Sequence, residues 1–476
     1  MEINPAVTFK HDRSIMYAKR PKVLIVGAGL GGLTLGMLLH KAGIPFDIYD
    51  KAPEVKPLGA AMYFNCTTAN LFKQCGIYEE FAALGKYVSA IKMCNEQREV
   101  EFSIDFEGHE QEFGARGYMI TRPALYGLLM RQIPKERIHL GKKVLTMDQG
   151  GNGVLIRFSD RTEAEGDILV GADGAYSAVR QGLYAKLKKA GTLPPSDLLP
   201  LPFSTVCLVG QTRPLTPEEF PDIAQEQCRM RRTIGTDKMY SVCMKEWSTY
   251  NTAQGTMAYM VIQFLTGESS KENDAFRNSE FGPEAVLAMC EEVKDFPVIS
   301  GGDHKYTMAD FFAWSNKEHI SKFMLEEKVL KTWYHCRTVL IGDACHKLNP
   351  AGGVGPANAV QDAMVLANLI NGLPFHPIAE EIEAAFKAYQ VERMPWVKDA
   401  HKISQTHRTM VGQSFASKST RYVSKHIPPW LFNRIRHAHS VTALRLRSCL
   451  LPRIMVVSAL LINPVCLSRH PSGLRL

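Results

Sequence analysis

The chain reads as α/β: a parallel sheet built from strand–helix units, a mixed sheet inserted into it, and a helical C-terminal tail. Two observations predict the first part. Lys22-Val23-Leu24-Ile25-Val26 is a short apolar, β-branched run of the kind that forms a strand buried on both faces, and it leads at once into Gly27-x-Gly29-x-x-Gly32 and the helical run Leu33 to Leu39. Phe46-Asp47-Ile48-Tyr49-Asp50 supplies a second strand that ends in a carboxylate 18 residues after Gly32. The mixed sheet is predicted by apolar strand runs at Phe203 to Gly210, Met239 to Met244 and Thr256 to Leu265, with a helix near Pro283 to Val293.

Strand, glycine turn, helix, strand and acid make the first half of a Rossmann βαβ unit. In that reading Gly27 permits the tight turn, Gly29 lets a pyrophosphate approach the backbone, and Gly32 lets the helix pack against the strand. The helix N-terminus offers free N–H groups and about half a positive charge to the anion. Asp50 is placed to accept ribose hydroxyls. This motif alone does not separate FAD from NAD(P).

Two further segments carry a resemblance. Asp167-Ile-Leu-Val-Gly171-Ala-Asp173-Gly174-Ala-Tyr-Ser177-Ala-Val-Arg180 resembles the "DG" fingerprint of single-component flavoprotein aromatic hydroxylases. Arg337-Thr-Val-Leu-Ile-Gly342-Asp343-Ala344-Cys345-His346 resembles their "GD" fingerprint and continues as Pro350-x-x-Gly353-x-Gly355-x-x-Asn358, with Asp362-Ala363 beyond. From about Lys22 to about Arg393 the chain resembles class A FAD monooxygenases of the salicylate hydroxylase, 4-hydroxybenzoate hydroxylase and zeaxanthin epoxidase type.

The resemblance implies a glutathione-reductase-type FAD-binding domain and FAD as cofactor. NADPH or NADH reduces it, O2 is the oxidant, and a flavin C4a-hydroperoxide hydroxylates or epoxidises a small aromatic or lipophilic substrate. It assigns Gly27, Gly29, Gly32, Asp50, Asp173, Gly174, Gly342, Asp343, Gly353, Gly355 and Asn358 to the cofactor. Arg122 joins them through Arg122-x-x-Leu125, where Pro123 opens a helix; its bland alternative is a surface arginine. Asp343 would accept bonds from the ribityl chain, and a helix from about Gly355 through Leu369 would aim its N-terminus at the flavin. Two positions depart from the family pattern: Asp50 stands for the usual glutamate, and Ala344-Cys345-His346 for Ala-Ala-His. No catalytic base stands out. His346, Tyr240 and Tyr259 are candidates, with structural roles as the alternative for each; Met244 and Gln263 are further candidates for a cavity wall. A flavin-dependent reductase on the same fold and a non-catalytic flavin-binding scaffold are the rival readings. A flavin halogenase is disfavoured, because its W-x-W-x-I-P signature is absent and no two tryptophans stand two residues apart.

Along the 476 residues we assign 1–20 to an N-terminal arm, 21–90, 113–182 and 325–375 to a discontinuous FAD-binding domain, and 91–112 and 183–324 to a substrate domain. Residues 376–476 form a helical, basic tail. Eleven cysteines without C-x-x-C or metal-like spacing read as reduced thiols, with no metal site. No apolar leader segment opens the chain, so a cytoplasmic location is expected. The net charge of +8 is uneven: residues 401–476 hold 12 Lys/Arg and no Asp/Glu, leaving the first 400 at −4. No nucleic-acid module accompanies this charge. The tail also carries an uncharged apolar stretch, Ile454 to Leu467, too short and interrupted for a span of about 20 residues. Peripheral or monotopic attachment to an anionic membrane surface and a solvated helical cap stand level as readings. The sequence leaves the oligomeric state open.

Overall fold

Segments apolar on both faces can bury both only inside a covered parallel sheet, and that is where they lie. A computed structural model describes residues 19–54, 61–224, 227–235, 240–248, 255–270, 282–298, 304–349, 353–410 and 414–427. Val23–Val26, Phe46–Tyr49, Ile168–Gly171 and Thr338–Leu340 are buried throughout. They run parallel in one six-stranded sheet, with Ile138–His139 added parallel at one edge and Tyr334–His335 antiparallel at the other. The register matters most: Val26 pairs with Gly171, and Gly171 pairs with Leu340. Three strands distant in sequence therefore end at one level. Each runs at once into one of the three glycine-containing motifs.

The helix Leu30–Lys41 has ten of its twelve residues buried and packs against the helix Gly355–Asn371. Val144–Gly150, Gly153–Phe158 and Glu163–Gly166 form a small antiparallel sheet of their own.

A second, nine-stranded sheet follows the order Ser321–Glu326, Pro202–Gln211, Gly255–Ser270, Tyr240–Ser248, Cys228–Ile234, Lys86–Cys94, Tyr118–Thr121 and Ala61–Phe64, with Val100–Asp105 paired to Lys86–Cys94. Ala61–Phe64, Tyr118–Thr121 and the start of Lys86–Cys94 come from segments that we assigned to the first domain. This sheet thus reaches beyond residues 91–112 and 183–324. The reason is pairing: Lys86–Cys94 lies parallel to Cys228–Ile234 and carries the earlier strands in with it.

The two faces of this sheet differ. On one, Val206, Leu208, Met257, Tyr259 and Val261 pack under the helices Pro283–Val293 and Met308–Ala313 through Met289, Val293 and Phe311. On the other, Cys207, Ile262, Phe264 and Leu325 form a separate apolar cluster, continued by Ala258, Met230 and Val88. This second face meets the first sheet's loops, since the Thr205 hydroxyl accepts a hydrogen bond from Asn349 Nδ2 at 2.8 Å. The long helix Ala379–Met410 and the helix Phe415–His426 complete the described chain. Among the described residues no helix is long and apolar enough to cross a membrane.

Candidate functional site: a dinucleotide cleft

The three motifs meet at the carboxyl ends of the parallel strands. Gly27 has φ +109°, and a Cβ there would stand 2.4 Å from the Ala172 carbonyl oxygen. A Cβ on Gly32 would fall 1.9 Å from the Gly27 oxygen. Both glycines are thus required by the protein's own backbone. Gly29 differs. Its Cβ would meet only Ala172 O at 3.7 Å and Tyr126 Oη at 3.8 Å, which is ordinary contact. The space above it is open on the side where a ligand would approach.

Asp50 is half-buried and tied into this turn. Its carboxylate accepts from the Ala28 N–H at 2.7 Å and the Ala52 N–H at 2.8 Å. A carboxylate has about four acceptor sites, so two such bonds leave room for hydroxyls. Asp50 therefore also braces the glycine turn. Arg122 is exposed at the start of its helix, and its guanidinium donates to Tyr126 Oη at 3.1 Å. Tyr126 abuts Gly29, so Arg122 stands beside the same turn.

In the second motif Gly174 takes φ +82°. Asp173 Oδ2 accepts from the Ala178 and Val179 N–H groups at 2.7 and 3.3 Å, and Ser177 Oγ accepts from the Arg180 N–H at 2.9 Å, so both cap the helix Ala178–Lys189. Asp173 Oδ1 is occluded and has no partner among the described residues. Burial pushes this carboxyl up, against the hydrogen bonds from Ser177 and the helix start. Arg180 joins the motifs: it donates to Ala344 O at 2.9 Å and to Ala175 O at 2.5 Å.

The third motif is fastened by a buried charge network that the sequence reading did not assemble. Asp362 is fully buried. Its Oδ2 accepts from the Gly342 N–H at 2.9 Å and lies 2.5 Å from His346 Nε2, while its Oδ1 accepts from Arg393 Nε at 2.7 Å. Arg393, also fully buried, donates onward to Asn358 Oδ1 at 2.7 Å and Gln361 Oε1 at 3.0 Å. Burial would raise the Asp362 carboxyl; the charges and hydrogen bonds of His346 and Arg393 override it and hold the group well below the usual carboxylate range. His346 is buried in this network and packs on Trp333. Its imidazole is a brace, not a group facing a substrate. Asn358 likewise turns to Arg393 and, through Nδ2, to Val354 O at 2.9 Å. Asp343 stays partly exposed and accepts from Lys347 Nζ at 2.6 Å.

Cys345, His346 and Asp362 bring three potential metal donors within 4.8 Å. The chemistry is wrong for a cation. Asp362 is already occupied by Gly342, His346 and Arg393, and burial pushes the Cys345 thiol well up, away from the thiolate that a metal needs. The Cys66 and Cys94 thiols are also raised by burial, each to about 11. The eight cysteines whose side chains are described are free.

Cβ atoms placed on Gly174, Gly353 or Gly355 meet nothing within 4 Å among the described residues, so no described side chain crowds the backbone of the second and third motifs there. The start of Gly355–Asn371 lies against the first and third motifs: the Ala359 Cβ is 3.7 Å from a Cβ placed on Gly31 and 3.3 Å from one placed on Gly342. The N-termini of Leu30–Lys41 and Gly355–Asn371, neither of them capped by a side chain, thus share one edge of the sheet and suit a dinucleotide's phosphates, whereas the first N–H groups of Ala178–Lys189 are taken up by Asp173 and Ser177.

The family described as FAD binding domain matches residues 20–216 and 306–403. The chain belongs to this family. It is similar to the FAD-dependent monooxygenase ptmM of Penicillium ochrochloron, with 28% identity over 80% of this chain and 87% of that one. Aurachin C monooxygenase/isomerase of Stigmatella aurantiaca is 29% identical over 79% of this chain and 86% of that one. Among solved structures, Klebsiella pneumoniae HpxO complexed with FAD and uric acid superposes with a TM-score of 0.69 at 18% identity, over 91% of this chain and 99% of that one. The chain is an FAD-dependent monooxygenase, with NADPH or NADH and O2 as co-substrates.

Two sequence candidates lie elsewhere in the monooxygenase. Tyr259 is buried on the helix-covered face of the second sheet, donates to Ser315 Oγ at 3.0 Å and packs on Phe311 and Phe312. Gln263, four residues on, bonds Glu292 at 2.6 Å on the same side. Period-two alternation sends both away from the first sheet, and the short apolar run carried no signal of which face would be which. Tyr240 pairs in register with Gln263, and Met244 with Tyr259; the side chains of Tyr240 and Met244 lie outside the described residues. The network residues Asp362 and Arg393 were missed because a buried ion pair has no local spacing rule.

The glycines separate two effects. Gly32→Ala should destabilise the FAD-free protein by roughly 3 kcal/mol through overpacking, read as a lowered melting temperature. Gly29→Ala should melt like the parent but bind FAD more weakly, read by flavin fluorescence titration. A Gly29→Ala protein with unchanged FAD affinity would remove Gly29 from the cofactor site.

Asp362→Asn should cost about 3–5 kcal/mol by leaving Arg393 unpaired. The folded carboxyl titrates below its unfolded value of about 4, so its contribution is full above that pH and disappears as pH falls toward the folded value. Urea midpoints measured from pH 6 to pH 3 should decline more steeply for the parent than for Asp362→Asn.

Proposed function

We propose that this monooxygenase hydroxylates or epoxidises a carbon of a small, largely apolar substrate held between the second sheet and the dinucleotide cleft. One observation carries the reading. The sheet face turned to the cleft is mainly apolar, apart from Arg232 between Met230 and Ile234, and on it Ile91, Val209, Met260 and Phe323 are partly exposed rather than closed over. An extensively polar substrate would leave most of its groups unpaired against such a wall. Three methionines, Met93, Met230 and Met260, give that wall adaptable shape.

The chain's own groups have these tasks in the proposed site. Gly29 leaves the backbone open to a pyrophosphate, and the N-termini of Leu30–Lys41 and Gly355–Asn371 supply N–H donors to it. Asp50 and Asp343 accept hydroxyls of the ribose and ribityl parts, with Arg122 and Lys347 as balancing cations. Gly353 and Gly355 let the backbone come close to the ring, and the Gly355–Asn371 dipole favours negative charge there. Asp173 and Gly174 shape the opposite wall. The apolar sheet face excludes water, which limits loss of activated oxygen as peroxide. Bound FAD supplies the redox chemistry: it takes a hydride from NAD(P)H and activates O2. We further infer that the basic C-terminal region holds the enzyme at an anionic membrane surface.

The oxidation is tested with 18O2. Substrate-dependent NAD(P)H consumption should match O2 uptake, and one labelled atom should appear in the product. Nicotinamide oxidation with no label incorporated overturns the reading. Asp343→Ala should lower FAD occupancy several-fold after gel filtration; unchanged flavin absorbance would remove Asp343 from the site.

A further inference from the structure

The helix Phe415–His426 is amphipathic the wrong way round for a helix of a globular core. Ser417 is buried, and Thr420 and Arg421 are half-buried, whereas Phe415 is 88% exposed, Tyr422 66% and Val423 57%. A core-seeking helix buries its apolar stripe; this one buries hydroxyls and presents the stripe outward. Lys418, Lys425 and His426 are exposed beside that stripe, and the Tyr422 and His426 rings stack at 4.1 Å. No acidic residue occurs from 401 to the C-terminus.

An aromatic stripe bordered by lysines is the composition of a helix lying in a bilayer interface, with rings at the headgroup level and ammonium groups on anionic phosphates. The position adds a second point. The helix rests on Val100–Asp105, a strand paired only to Lys86–Cys94, and Phe102 and Ile104 of that strand belong to the apolar, cleft-facing clusters. We propose that Phe415, Tyr422 and Val423 seat the enzyme on an anionic bilayer, and that this places the apolar sheet face where a lipophilic substrate passes from the bilayer into the cleft. The inference rests on the membrane reading above and names the surface responsible.

The test uses full-length, FAD-loaded protein and sedimentation with phosphatidylcholine vesicles containing 30% phosphatidylserine, beside pure phosphatidylcholine. The parent should pellet with the anionic vesicles. Phe415→Ser/Tyr422→Ser/Val423→Ser should reduce the bound fraction at least fivefold. Lys418→Glu/Lys425→Glu should do the same. Both should keep the parental flavin spectrum and turnover on detergent-dispersed substrate, while KM for vesicle-borne substrate rises. Parental binding by both variants, lost only on deleting residues 428–476, overturns this helix but keeps the membrane reading. A parent that never pellets overturns both. A concentration-dependent dimer abolished by the triple substitution, without vesicle binding, would assign the stripe to a second copy and overturn the proposal.

Discussion

Everything in the cleft depends on three parallel strands ending at the same height. Val26, Gly171 and Leu340 are neighbours in register, and each hands its chain to a turn that contributes backbone rather than side chain. A parallel ladder fixes this alignment, because a slip of one residue would invert every buried side chain of a strand covered on both faces. The remaining features hold the turns once they are aligned. Gly27 meshes with Ala172, Arg180 joins the second loop to the third, and Asp362 binds the third loop to two helices. The site is built almost entirely from backbone, which suits a ligand recognised through phosphates and hydroxyls.

Asp362 and Arg393 show how such a scaffold is made specific. A fully buried ion pair contributes little net stability by itself, because desolvation offsets the attraction. Its value here is geometric. One carboxylate has bonds to the Gly342 turn, to His346 and to Arg393, and Arg393 reaches back to the first turn of Gly355–Asn371 through Asn358. The helix N-terminus and the Gly342 turn are therefore set against each other by a single rigid hub.

The sequence made the cofactor half legible because its rules are local: a glycine turn after an apolar strand, an acid after the next strand, a motif after the third. The helices Pro283–Val293 and Gly355–Asn371 were readable for the same reason, each opening on glycine and proline. What escaped was long-range. Tyr259 belongs to an alternating strand whose inward and outward faces are set by partners 50 residues away, such as Phe311 and Ser315. His346 looked like a possible acid or base because its partner Asp362 sits 16 positions on, in another element. Lys347 was passed over although its partner is only four residues away, since Asp343 had already been given to the cofactor.

The raised thiols have a consequence for an enzyme that handles oxygen. A flavin protein that releases some of its activated oxygen bathes its own side chains in hydrogen peroxide, and peroxide attacks the thiolate rather than the thiol. Cys66, Cys94 and Cys345 are enclosed and kept protonated near neutrality. The interior is thereby insulated against the by-product of its own idling turnover, and inactivation during futile cycling should begin at the solvent-facing surface.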